Sequence, residues 1–344
     1  MILFSADELR STATKIFRAA GSDPEPTEIL VNHLVDANLA GHDSHGVLRI
    51  PYYVQALKKG QVQPNARPEI LKETPVSALI DGKWTFGQVS ARYGADIAIA
   101  KAKASGVAVV GVVRCTHIGR LGTYSTLAAS QGVVLMITIG NLGKSTAPFG
   151  GKQPIFSTNP YSFGFPAGEH PDLMVDFATS AIAGGKVMVA RAKHEEVPPD
   201  SLLDKDGNPT RDPAAYWDGG MLLPFGGHKG SALATLSTLL AHVLVPATEH
   251  DGAEGLAGTF ILAIDSGIFR DRAALEAETD SVFARIKAVQ PAVGFSEVLV
   301  PGEPEVRARE RRLKEGIPVA EDTWTEIINA AKSVGVTVEQ PVRA

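Results

Sequence analysis

The chain is almost without cysteine: Cys115 stands alone among 344 residues. No disulfide can form within it, which fits a reducing compartment and predicts a cytoplasmic protein. There is no excess of positive charge. The formal net charge is -5, so no basic field draws the chain to nucleic acid. The basic cluster Arg307, Arg309, Arg311 and Arg312 is interleaved with Glu305 and Glu310 and reads as a solvated helix face. MILFSADELR has only a short apolar start and no basic region before it, so a secretory leader is not expected. The longest helix-like apolar stretch, 231–245, is interrupted by Thr235, Ser237, Thr238 and His242. It falls short of the roughly 20 residues a membrane span needs and reads as a buried core helix. Internal repeats and low-complexity segments are missing, as is H-E-x-x-H. No G-x-G-x-x-G follows a strand, which excludes the standard Rossmann fingerprint.

What is present is a globular composition, 44% hydrophobic and 21% charged. That is enough apolar material for one large domain or two smaller ones. Ser5 to Glu8 has the form of a capping box and predicts a helix to about Ala20. Gly21, Pro24 and Pro26 punctuate it, and a second helix is expected over 29–40. Pro51 can open a third helix, which Gly60 can close. After Pro68 helix and strand alternate. Strands are expected at 76–80, 107–113, 133–139, 174–177, 260–264 and 298–300. Helices are expected at 90–104, 121–130 and 181–192, and then helices alone at 304–314 and 321–334. Such alternation predicts an α/β fold, a sheet between helical layers over 75–300, with a helical part made of 1–74 and 301–344. The segment 193–220 is rich in Pro, Asp and Gly. It is either a crossing between domains or a long functional loop.

Five segments could carry chemistry. In the first, Ser44-His45-Gly46 precedes Arg49 and Tyr53. His45, Arg49 and Tyr53 are four apart, the spacing that stacks residues on one helical face, although Pro51 interrupts a continuous helix. A proton donor, a bidentate carboxylate clamp and a phenol suit a 2-oxo acid; the alternative is an exposed histidine beside a surface arginine. The second, Thr116-His117-Ile-Gly119-Arg-Leu-Gly122, follows a strand. Ligands collect there in α/β sheets, and the glycines would open a helix whose amides favour an anion. Otherwise His117 simply caps a tight turn. The third, Gly140-Asn-Leu-Gly-Lys144-Ser145, is no phosphate loop, because Thr138 stands where the first glycine belongs and Pro148 follows too soon. Asn141 remains a candidate ligand contact at a strand end. The fourth and fifth, Asp176-Phe-Ala-Thr-Ser180 leading to Gly184-Gly185-Lys186, and Pro224-Phe-Gly-Gly-His-Lys229-Gly230, let backbone approach a pyrophosphate. His42, His45 and His117 could be grouped as zinc ligands. With no H-E-x-x-H and no cysteine cluster, no metal is expected.

Taken in order, GHDSHGVLRIPYYVQALKKG, THIGRLGTY, APFGG followed by TNP, DFATSAIAGGK, PFGGHKG and LVPGEPE resemble the malate/L-lactate dehydrogenase-type oxidoreductases. That family also holds ureidoglycolate, sulfolactate and diketogulonate enzymes and cyclic imino acid reductases. HIGRLG, ATSAIAGGK and LVPGEPEVRARERRLKEGIPV look most like its hydroxycarboxylate dehydrogenase branch. The resemblance covers nearly the whole chain. It implies a three-layer α/β/α fold with a mixed sheet, unrelated to the Rossmann dehydrogenases, and a homodimer with active sites near the subunit interface. It also implies hydride transfer between NAD or NADP and a small 2-hydroxy or 2-oxo acid. His45 matches the family's proton donor and acceptor, and His117 its second active-site histidine. Ser44, Arg49 and Tyr53 match the substrate pocket. Asn141, Asp176, Phe177, Ala178, His228, Lys229, Pro301 and Gly302 match cofactor-contacting positions. LGKS after Asn141 is tied to no one substrate. The alternatives are a cyclic imine reductase of the same family, a His-ligated metal-dependent hydrolase, and a nucleotide-binding protein without turnover.

Overall fold

The computed structural model describes residues 1–248 and 258–338. Residues 249–257 of the expected α/β/α part and 339–344 of the expected helical part lie outside the described residues. The central sheet has seven strands. Their order is Glu69–Thr74, Ser77–Asp81, Val107–Val113, Gly258–Asp265, Val133–Gly140, Tyr161–Phe165 and Leu173–Phe177. Ser77–Asp81 runs parallel to Val107–Val113, and the other neighbours in this sheet are antiparallel. The sheet is therefore mixed.

The continuous β-branched run at 107–113 reflects burial on both faces. Ala108, Val110 and Val112 pack with Ala91, Ala95 and Ala98 of the helix Gly87–Ser105. Val113 and Val109 point the other way, onto Ala241, Val245 and Phe260. Ala241 belongs to a π-helical stretch, Leu239–Leu244, that continues the helix His228–Thr238. The expected apolar helix at 231–245 thus exists but widens midway. With helices on both faces the core is a three-layer α/β/α fold.

A second core lies beside it. Leu9, Phe17, Leu34, Tyr53, Trp324 and Ile327 are all fully or almost fully buried in it, each large apolar side chain contributing about 1.5–3 kcal/mol. The Ser5 capping box forms as expected, with Glu8 N–H on Ser5 Oγ at 3.2 Å and Ser5 N–H on Glu8 Oε2 at 2.7 Å. The two ends of this helical part also carry a short ribbon. Ile2–Phe4 pairs antiparallel with Ile317–Val319. Three residues a side give no periodicity to read.

Two expectations need correction. Residues 298–300 form no strand: the Val300 N–H is accepted by the Glu303 carboxylate at 2.8 Å, at the start of the helix Glu303–Glu315. The segment 193–220 is neither a bare crossing nor a bare loop. It supplies Leu202–Leu203 and Pro209–Thr210 to a four-stranded sheet with Met221–Leu222 and Leu142–Thr146. The LGKS run is thus extended backbone, which explains why no phosphate loop forms there.

Candidate active site

His45, Arg49 and Tyr53 do not share one helical face. Asp43–His45 and Val47–Arg49 are separate 3-10 turns, and the α-helix Ile50–Lys58 begins after them with Pro51 in its first turn. The break falls at Gly46. Asn38 Oδ1 accepts the Val47 N–H at 2.8 Å, and a Cβ on Gly46 would stand 2.2 Å from that oxygen. Asn38 Nδ2 also reaches Asp43 at 2.6 Å. Arg312 grips both oxygens of Asp43, at 2.6 and 2.9 Å, and Glu305 meets His42 at 3.1 Å. The basic cluster at 307–312 is therefore not simply a solvated face. Arg309 pairs with Asp36 at 3.3 Å and Arg307 with Glu297. This helix clamps the histidine-bearing loop.

The loop brings His45 against His117 from the far side of the sequence. Their rings lie parallel within 6°, with centroids 5.9 Å apart. Ser44 Oγ is 3.1 Å from His45 Nδ1, and Arg49 Nε donates to the Ser44 carbonyl at 2.7 Å. Tyr53 is buried beneath, its hydroxyl 2.8 Å from His117 Nδ1 and held by the Gln88 amide. Five residues from two sequence blocks thus meet. Burial, followed by the Arg49 charge, lowers His45 to about 4. Burial, followed by His45 itself, lowers His117 to about 3. Both rings are neutral near pH 7. Burial pushes the Tyr53 phenol well above its ordinary value.

His117 sits in an irregular turn, and the helix after it starts at Gly122. Its N-terminus does take an anion, but from within the chain: Asp176 Oδ2 accepts the Gly122 N–H at 2.7 Å. Burial raises the Asp176 carboxyl, while the Gly122 N–H and then the Arg120 charge oppose that shift. Phe177 lies edge-on to Phe225 at 5.7 Å, and Phe225 N–H bonds Thr179. The fourth and fifth segments are therefore joined by the two residues that flank Ala178. The fourth also reaches the first, since a Cβ on Gly185 would stand 3.2 Å from Ser44 Cβ. His228 opens its helix against Phe149, and Lys229 follows. Asn141, at its strand end, shares hydrogen bonds with the buried Asn159. Pro301 and Gly302 cross the start of the strand that carries Asp176: the Met174 N–H bonds Pro301 O at 3.3 Å.

A dinucleotide fits this arrangement. The helices opening at Gly184 and His228 have no side-chain cap. The Lys186, Lys229 and Gly230 N–H groups go to backbone carbonyls, which leaves the amides before them, at Gly184, Gly185 and His228, to face a pyrophosphate. Gly226 and Gly227 both have positive φ, which glycine tolerates, and without a Cβ the backbone there can be approached closely by such a ligand. The zinc grouping is not assembled. His42 faces Glu305 and His117 faces Tyr53, and no cluster of three metal-ligating side chains occurs among the described residues.

Sequence reasoning missed Asn38, Gln88, His33 and Arg120. His33 accepts the Arg120 N–H at 2.9 Å, and a Cβ on Gly119 would stand 2.2 Å from the same nitrogen. His33, Gln88 and Arg120 line a groove of about 500 Å³ whose walls do not include His45 or His117. Only Arg120 lay inside a motif that the sequence made visible.

Residues 4–328 match the malate/L-lactate dehydrogenase family. The malate/(S)-sulfolactate dehydrogenase of Methanothermus fervidus is 38% identical, over 92% of this chain and 93% of its own length. Hydroxycarboxylate dehydrogenase B of Escherichia coli K12 is 36% identical over 98% and 95%. A Delta(1)-pyrroline-2-carboxylate/Delta(1)-piperideine-2-carboxylate reductase of Pseudomonas putida is 32% identical over 91% and 92%. The solved sulfolactate dehydrogenase of Methanocaldococcus jannaschii superposes with a TM-score of 0.88, at 33% identity, over 98% of each chain. This α/β chain, with its mixed sheet and its paired histidines, belongs to the malate/L-lactate dehydrogenase family of oxidoreductases.

Proposed function

We propose that the protein interconverts a small 2-hydroxy acid and its 2-oxo acid, using NAD or NADP. The observation that carries this is the parallel His45–His117 pair with Arg49 bonded into the same loop. The relatives named for malate, sulfolactate and hydroxycarboxylates support the substrate class. Asn141, Asp176, Phe177, Ala178, His228, Lys229, Pro301 and Gly302 are the residues assigned to hold the cofactor. The nicotinamide, when bound, supplies or accepts the hydride.

His45 is assigned the proton. Neutral in the free protein, it takes the substrate hydroxyl proton in oxidation. Ser44 can donate to Nδ1 or accept from it, so the ring can hold one proton or two. In reduction a substrate carboxylate on Arg49 offsets the charge that helps to hold His45 down. The bound substrate therefore raises His45 toward the protonated form needed to deliver a proton. His117 holds the substrate oxygen and stabilises its developing charge. Ser44 completes the pocket, and Tyr53 supports it from beneath His117. A cytoplasmic homodimer is part of the same reading. Leu236, Leu239, Val243 and Leu244 are exposed along one helix, an apolar strip that suits a second copy.

Arg49 separates this reading from a generic carbonyl reductase. A guanidinium matches both oxygens of a carboxylate, and a charge-assisted pair is worth roughly 1.5–3 kcal/mol. Arg49→Met should lose about ten- to a hundredfold in kcat/KM on the acid, and much less on its neutral amide. Equal losses on acid and amide would remove Arg49 from the carboxylate. The Pseudomonas putida relative favours a second reading, reduction of a cyclic imine carboxylate. A panel of 2-oxo acids and cyclic imines with NADH and NADPH tells the two apart.

A further inference from the structure

The geometry points to Gln88 as a positioning residue that acts through Tyr53 to fix which nitrogen of His117 carries the proton. The Gln88 amide nitrogen donates to the Tyr53 oxygen. A phenol has a single hydrogen to give, and an amide N–H cannot accept it. The Tyr53 hydrogen therefore goes to His117 Nδ1, 2.8 Å away. Nδ1 must then be the bare, accepting nitrogen, and the proton of the neutral ring sits on Nε2. Gln88 and Tyr53 are both at 0% exposure, so bulk solvent does not reach the chain.

His45 differs in the one respect that matters. Its Nδ1 partner is the Ser44 hydroxyl, which is only half-buried and can turn either way. Two parallel rings are thus prepared for different tasks. His117 is a donor of fixed sense, while His45 can gain and lose a proton. Gln88 lies outside the five segments with recognisable chemistry, at the start of the helix Gly87–Ser105. The catalytic consequence rests on the hydroxy acid reading above; the proton's position does not. The opposite amide orientation would place Gln88 Oε1 on Tyr53, make the phenol a donor to Gln88, and move the proton to His117 Nδ1.

The test is nitrogen NMR on the full chain with ring-15N histidine, at neutral pH and without substrate. The His117 signals are assigned from their loss in His117→Asn. The expected spectrum shows Nδ1 unprotonated and Nε2 protonated. A protonated Nδ1 overturns the proposal, and this holds even if no Gln88 variant folds. Gln88→Met should blur the single tautomer into a mixture. It should lower kcat about ten- to a hundredfold, somewhat less than loss of a whole oxyanion donor, and leave the cofactor Kd unchanged. A Gln88→Met protein with the wild-type His117 spectrum and kcat also overturns it. The expected tautomer in a protein that turns over no oxo acid or imine would sink the functional reading and leave the Gln88 assignment standing.

Discussion

Acid should destabilise this protein well above the carboxylate range, and His33 lets the size be worked out. The residue is buried in the helix Pro24–Leu39, and its Nε2 accepts the Arg120 N–H at 2.9 Å. Protonation would set N–H against N–H. Burial, aided by the Arg120 charge, lowers His33 to about 3, against about 6.5 in the unfolded chain. Between those values the unfolded chain binds a proton that the folded one refuses. Stability is therefore complete above the unfolded value and is lost as the pH falls toward the folded one. At about pH 5 the loss from His33 comes to about 2 kcal/mol. His33→Gln keeps an acceptor for Arg120 and removes the titration. Urea unfolding of both proteins, at about pH 7.5 and about pH 5 and at one protein concentration, isolates the difference. His45 and His117 shift in the same direction, and the burial-raised Asp172 and Asp176 in the opposite one. All four are common to both proteins and cancel. The wild type should lose about 2 kcal/mol more than the variant over this interval. Equal losses would mean that His33 takes up its proton inside the folded protein, and the burial argument would fail.

Two further outcomes are expected. His45→Gln should lose on the order of 10²–10⁴-fold in turnover with cofactor affinity kept; near wild-type turnover would assign the proton elsewhere. Arg312→Met should remove the two-point grip on Asp43, at a cost of about 1.5–3 kcal/mol for the charged hydrogen bonds. It should also lower kcat through a looser His45 loop. Unchanged kcat beside reduced stability would show that the clamp serves folding alone.

The long regular elements that bury a whole face were legible for that reason. The run at 107–113 could only be a doubly covered strand, and Ser5 announced its helix through chemistry local to four residues. The helix Arg272–Lys287 was silent because Phe283 is its one buried residue. The edge strand Glu69–Thr74 is exposed throughout and carries no alternation to read. The site was half visible. Histidines flanked by glycine mark themselves, and so does an arginine four residues on. What could not be read was the parallel stacking of the His45 and His117 rings, since the 3-10 turns that orient His45 leave no periodic signal. Nor could Gln88 or Asn38 be read, because a buried amide inside an ordinary helix looks like any other polar residue until its partner is known.

The clamp on the His45 loop also sets an order of events during synthesis. Residues 36–49 leave the ribosome early, yet Arg309, Arg312 and Glu305, which hold Asp36, Asp43 and His42, come some 260 residues later. The ribbon of Ile2–Phe4 likewise waits for Ile317–Val319. Contacts that distant close slowly, because the intervening chain must first be gathered. The sheet strands from 77 to 140 can pair in part before then. A nascent chain should therefore hold a partly formed sheet while its first helices still lack partners. The proton-carrying histidine would be among the last groups set in place, so a chain stalled before residue 312 would be without activity.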